Sequence, residues 1–198
     1  MHIYLGHGAS GDAASMRPFV DGLRRRGLVA DAVDLPKRRA EEAVPAWRAA
    51  VPDGPATVVG GHSYGGRVAS LAAAADAADT ADAAGDATAP HLAPAVDAGY
   101  AGLVLFSYPL HPPGRPERTE ARIAHWPAIA CPVLLLSGEA DPFARIELLR
   151  ISVGLLPRHE LVTYPKLGHT LRPVLDDVLD RVRAFVEALP PPGARRAR

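Results

Sequence analysis

The sequence predicts an α/β domain in which a mostly parallel sheet is covered by helices on both faces. Three observations predict it. Short apolar runs rich in β-branched residues alternate with longer stretches of helical period. Most of these runs are apolar on both faces rather than alternating, as the strands of a doubly covered parallel sheet are. One run, in "TVVGGHSYGGRVASLAAAA" (57–75), breaks at a serine between glycines and resumes at once as a helix former.

The elements follow in order. "HIYLG" (2–6) reads as the first strand and leads through the turn "GHGASGD" into the helical stretch "ASMRPFVDGLRRRG". "VADAVDL" (29–35) is the second strand, followed by the helix "AEEAVPAWRAAV". "ATVVGG" (56–61) is the third and runs into the helix "YGGRVASLAAAAD". Residues 76–99 are low in complexity, rich in Ala, Asp, Thr and Pro and poor in apolar bulk, which predicts a flexible surface insertion. "AGLVLFS" (101–107) is the fourth strand, with a weak helical segment near "TEARIAHW" after it. "PVLLLSG" (132–138) and "HELVTYP" (159–165) complete the strands, with "ARIELLRISVGLL" between them. The last helix, "DDVLDRVRAFVEAL", sets Val178, Val182, Phe185 and Leu189 on one face at spacings of three and four. One domain over 1–189 is expected, with 190–198, "PPPGARRAR", as a disordered tail.

Composition narrows the function classes. A chain of 198 residues suffices for one domain with a sizeable core. Its formal net charge is zero, which gives no electrostatic reason to expect nucleic acid or acidic lipid as a partner. No apolar run approaches the roughly 20 residues that span a bilayer. "MHIYLGHG" lacks the marks of a signal peptide, so a cytoplasmic location is expected. The single cysteine, Cys131, rules out an internal disulfide and reads as a small buried hydrophobe opening a strand. The chain has no Asn or Gln, a composition bias with one chemical consequence. A Cys-His-Asn arrangement is impossible, and an oxyanion hole must use other donors, foremost backbone N–H groups.

"GHSYG" (61–65) matches the G-x-S-x-G elbow, in which a strand turns sharply into a helix and a strained serine presents Oγ above the sheet. A serine hydroxyl is a weak nucleophile until a base takes its proton, and the base works best when a carboxylate orients it. "PVLLLSGEADPF" puts Asp141 on the loop after one strand, and "HELVTYPKLGHTL" puts His169 beyond the next. The order Ser63, Asp141, His169 at the ends of successive strands is the strongest functional signal in the chain. Taken singly, each partner has a bland reading. Asp141 precedes Pro142 and a helix and can serve as an N-cap, and His169 can be a surface histidine. Glu139 is the reserve acid. The loop after Ser107 holds no carboxylate until Glu117, which leaves an alternative acid position there empty.

For the oxyanion hole, one expected donor is the backbone N–H of Tyr64, at a helix N-terminus. The other is Ala9 in "GHGASGD", with Ser10 second. His7 is expected to order that turn, and His62 to pack or hydrogen-bond beneath the elbow. The remaining histidines, His2, His91, His111, His125 and His159, show no shared metal-ligand spacing, so no metal is expected.

"HGASGD", "GGHSYGGR", "SYPLHPPG", "LLLSGEADPF" and "LGHT" together resemble the α/β-hydrolase superfamily over nearly the whole chain. Within it they resemble a small dienelactone-hydrolase-like branch, one that is similar to a testis-expressed protein and to a subunit of a histone-acetylating complex. The resemblance implies the α/β-hydrolase fold, with Ser63, Asp141 and His169 as the triad and neither metal nor organic cofactor. Two departures stand out. The chain begins directly at the strand leading into "HGASG", so a minimal sheet of about six strands is expected. Residues 108–131 are too few for a substantial lid, so a shallow open pocket is expected, bordered by Tyr108, Leu110, His111 and Trp126.

The leading expectation is a serine hydrolase that cleaves an ester, thioester or related acyl bond of a small molecule. Activity should fall as His169 protonates, because an imidazolium cannot act as a base; a free histidine titrates near ~6.5. Two rivals are a non-catalytic binding or scaffold protein that keeps the fold, and a small peptidase that shares every catalytic residue. A complete set of triad residues argues against the scaffold, which has no need of them.

Overall fold

In the computed structural model, which describes residues 1–85 and 99–192, all six strands lie in one parallel sheet. They are β1 (His2–Gly6), β2 (Val29–Val33), β3 (Thr57–His62), β4 (Gly102–Phe106), β5 (Val133–Gly138) and β6 (His159–Tyr164). The order across the sheet is β2-β1-β3-β4-β5-β6. The chain first steps from β1 outward to β2, then crosses back over β1 to β3 and continues the other way. That reversal opens a crevice at the carboxyl ends of β1 and β3, where α/β sheets bind ligands.

Central strands are apolar on both faces because both faces are covered. β4 and β5 are buried at every residue, whereas the edge strands β2 and β6 are partly open. α1 (Arg17–Arg25) and α6 (Leu175–Ala188) cover one face, where Phe19, Leu23, Val178, Leu179 and Val182 meet Ile3, Leu5, Val104 and Leu134. α2 (Ala40–Ala50), α3 (Tyr64–Gly85), α4 (Thr119–Ile123) and α5 (Ile146–Ser152) lie on the other. There Trp47, Val68, Trp126 and Leu149 pack on Val59, Leu105 and Leu135. Cys131 is buried beside Val133 in this second layer.

One boundary departs from expectation. α3 does not end near residue 75 but runs to Gly85, so the first part of the segment read as an insertion is helix. The physical reason is its alanine content, since alanine is the best helix former. Residues 86–98, the rest of that segment, and the end of the tail from 193 lie outside the described residues. α3 leads away from the carboxyl ends of the strands, and the chain resumes at Gly99 just before β4.

Among the described residues no helix is long and apolar enough to cross a membrane. The connection from β4 to β5 contains only α4 and two short 3-10 turns, which is too little for a lid domain.

Candidate active site

The site begins with the backbone of the elbow. Ser63 leaves β3 with φ of 51°, a left-handed conformation that costs a non-glycine residue about 1–3 kcal/mol. The turn is held on both sides. The Ser63 N–H donates to the Phe106 carbonyl at 2.9 Å, and the Gly65 N–H donates to the His7 carbonyl at 2.9 Å. The two motif glycines are required by close approach. A Cβ on Gly61 would lie 2.3 Å from the Gly6 oxygen, and one on Gly65 would lie 2.2 Å from the Gly6 carbonyl carbon. The pattern G-x-S-x-G is thus the space that β1 leaves for the turn.

Three side chains from three strand ends meet at this point. His169 Nε2 lies 2.8 Å from Ser63 Oγ, and His169 Nδ1 lies 2.8 Å from Asp141 Oδ2. A carboxylate only accepts, so Nδ1 carries the proton, and Nε2 is left to accept the Ser63 hydroxyl. The Asp141 side chain is fully buried, and its other oxygen accepts the Phe143 N–H at 2.8 Å. Asp141 does not cap α5, whose N-cap position is Arg145. Glu139 is turned to Arg150 and Thr163, at 2.7 and 2.8 Å, and not to His169.

The loop after β1 forms the facing wall. His7 is buried, with Nδ1 2.8 Å from the Gly8 carbonyl and Nε2 3.0 Å from the Leu35 N–H. Since the amide must donate, Nε2 accepts and Nδ1–H donates, and the ring ties this loop to the one after β2. The Gly11 N–H closes the turn on the Gly8 carbonyl at 2.9 Å. Ala9 and Ser10 line the cleft opposite Ser63. Tyr64 begins α3, ahead of the first bond of that turn, from the Arg67 N–H to the Ser63 carbonyl.

The cleft around Ser63 has a volume of about 490 Å³. Met16, Phe19, Phe143 and Leu171 supply its apolar surface, and Thr170 and Arg172 its polar edge. The Phe143 ring lies 4.4 Å from that of His169, centroid to centroid. Beside them, His62 is held neutral: burial pushes its pKa down, against the opposing pull of its hydrogen bond to the His169 backbone.

The expected pocket border is corrected by the structure. Tyr108, Leu110 and His111 are all buried and none lines this cleft. The Tyr108 hydroxyl donates to the Arg122 carbonyl at 2.8 Å, and its ring packs edge-on against Trp126, itself fully buried. His111 Nε2 accepts the Arg145 N–H at 3.0 Å and so braces the acid loop from behind. The cause is the course of the chain after β4, which drops back into the second layer instead of rising over the site. Sequence reasoning missed Met16, Phe19, Phe143, Thr170, Leu171 and Arg172. Their available signal was adjacency: Phe143 follows Asp141 by two residues, Thr170 to Arg172 follow His169 directly, and Met16 and Phe19 follow the first turn.

Comparison with known proteins gives the family. Residues 3–187 match the model of a family described as "Alpha/beta hydrolase domain". No curated protein matches the sequence. Among solved structures, a bacterial membrane phospholipase A, described as a virulence factor, is 18% identical with a TM-score of 0.64, over 94% of this chain and 78% of that one. Est1E of Butyrivibrio proteoclasticus, with ferulic acid bound, is 16% identical with a TM-score of 0.66, over 94% and 90%. Esterase 2 of Thermogutta terrifontis, phosphonylated by cyclosarin, is 21% identical with a TM-score of 0.67, over 96% and 84%. At these identities the likeness is one of fold.

Proposed function

The chain belongs to the α/β-hydrolase family, and from that premise we propose that it is a serine hydrolase cleaving esters or thioesters of small acyl groups through an acyl-enzyme. The observation that carries the reading is the hydrogen-bonded line from Ser63 through His169 to buried Asp141. Ser63 Oγ attacks the acyl carbonyl carbon while His169 Nε2 takes the hydroxyl proton. Asp141 holds the imidazole in the Nδ1–H tautomer and stabilises the imidazolium as it forms. The backbone N–H groups of Ala9 and Tyr64 receive the developing oxyanion. His169 then passes the proton to the leaving oxygen or sulfur, and the bond to it breaks. Water repeats the sequence on the acyl-enzyme, which frees the acid and restores Ser63.

The open cleft of about 490 Å³ with its short apolar wall favours small acyl or aromatic acyl groups over long chains. Within the family, the motifs around Ser63, Asp141 and His169 support a place beside the small dienelactone-hydrolase-like proteins. The likeness to esterase 2 of Thermogutta terrifontis favours an ester over a peptide bond. A series of p-nitrophenyl esters from acetate to palmitate tests the reading. Turnover is expected to be highest at short or medium length and to fall away for the longest chains. Hydrolysis that survives Ser63→Ala undiminished would refute it.

A further inference from the structure

We infer that His62, the residue just before the nucleophile, is a positioning residue that fixes the catalytic histidine through its backbone. The inference rests on the serine-hydrolase reading above. His62 Nε2 lies 3.0 Å from the backbone oxygen of His169. A carbonyl can only accept, so His62 is the Nε2–H tautomer and donates this bond.

The His169 loop needs such a hold. Between the end of β6 at Tyr164 and the 3-10 turn that starts at Arg172, the chain has no regular structure. Its other described backbone tie in this stretch to a neighbouring strand end is the Ala140 N–H on the Leu167 carbonyl at 2.8 Å, two residues before His169. The bond from His62 reaches the backbone of His169 itself. It also comes from the residue adjacent to the nucleophile, so clamp and nucleophile share one stretch of backbone. When Nε2 of residue 62 grips the carbonyl of residue 169, Oγ of residue 63 is brought opposite its imidazole, at 2.8 Å. Any shift of the elbow carries both partners together.

The surroundings fit this role. The His62 ring lies 5.0 Å from that of His169, tilted by 57°, with its Nδ1 side against the loop after β1. A Cβ on Gly8 would stand 3.0 Å from His62 Nδ1, so Gly8 in "GHGASGD" leaves the room this ring occupies. His62 thus bridges the loop expected to carry the oxyanion donor and the loop that carries the base. Burial keeps the ring neutral, so no second imidazolium stands beside His169 when that residue takes the serine proton.

The test compares His62→Leu, which fills the space without a donor, with His62→Gln, whose amide N–H reaches about as far as Nε2. The readouts are ester kinetics and hydrogen exchange over residues 165–172, with thermal melting as the check on folding. Expected for His62→Leu is a kcat lower by roughly 30- to 100-fold with KM within about twofold, the size of a small misplacement of reacting groups. Exchange should be faster over 165–172 and unchanged in the central strands. His62→Gln should recover most of the kcat and the exchange protection. Equal losses in both variants, or kcat within twofold of wild type in His62→Leu, would overturn the clamp. A wild-type protein that hydrolyses no ester would count against the functional reading, and the exchange comparison would still decide the clamp: protection lost in Leu and kept in Gln supports it, and unchanged protection in Leu refutes it.

Discussion

Two neighbouring strands of the sheet end alike and are used differently. β3 is followed directly by Ser63 and β4 by Ser107, and the two strands end side by side, with His62 paired to Phe106. Both serines are non-glycine residues in the left-handed region, with φ of 51° and 48°. Ser63 faces an open cleft and meets the His169 imidazole. Ser107 is fully buried, its N–H on the Leu136 carbonyl, and its Oγ has no hydrogen-bond partner among the described residues. Backbone strain is therefore common to both and cannot be what makes a nucleophile. It marks where the chain must leave the sheet sharply. On the proposed reading, chemistry follows at Ser63 because that corner is also given an opening, a base, and a helix N-terminus behind it.

The sharpest way to break this contrast is to remove the hydroxyl at each corner. Ser63→Ala should lower kcat/KM by about 10⁴-fold or more, and Asp141→Asn by about 10³- to 10⁴-fold through the wrong histidine tautomer. Both are read by ester kinetics on folded protein. Gly65→Ala attacks the space the elbow needs. With a Cβ 2.2 Å from the Gly6 carbonyl carbon, backbone must move, at a cost of about 3 kcal/mol in urea unfolding and roughly 10²-fold in kcat.

The helix behind Ser63 offers a pH test. On α3, Ser70 Oγ lies 2.8 Å from His125 Nε2, and burial, with a smaller push from Arg67, lowers the His125 pKa to about 4. The unfolded chain, with a histidine near ~6.5, binds this proton more readily than the folded one. Stability from this group is thus present above pH ~6.5 and is lost as pH falls toward 4, by on the order of 3 kcal/mol. Urea midpoints at pH 7 and pH 5 should show the fall, and His125→Phe should flatten it. The smallest effect belongs to the second corner. Ser107→Gly relieves the strain and removes a buried unpaired hydroxyl. It should raise stability by about 1 kcal/mol and leave kcat/KM within twofold.

Much of this was legible in the sequence, for identifiable reasons. The six strands announce themselves because both faces of a covered parallel sheet are apolar, and "VLLL" or "GLVLF" has no other economical use. The elbow is legible because its glycines answer to one backbone contact with Gly6, and the order of Ser63, Asp141 and His169 because each sits just past a strand. The pocket walls were not. Tyr108, Leu110 and His111 follow a strand end just as Asp141 does, and only the inward turn of the chain, with the Tyr108 hydroxyl on the Arg122 carbonyl, removes them from the cleft. The length of α3 was hidden for a different reason: an alanine- and aspartate-rich run reads equally as low-complexity loop or as helix until it continues one already begun.

The most direct test of the central claim is labelling with a fluorophosphonate, read by intact mass on wild type, Ser63→Ala and Ser107→Ala. One adduct on wild type and on Ser107→Ala, and none on Ser63→Ala, is the expected result. An adduct that persists in Ser63→Ala, or a well-folded wild type that takes none, would contradict the assignment of Ser63 as an activated nucleophile.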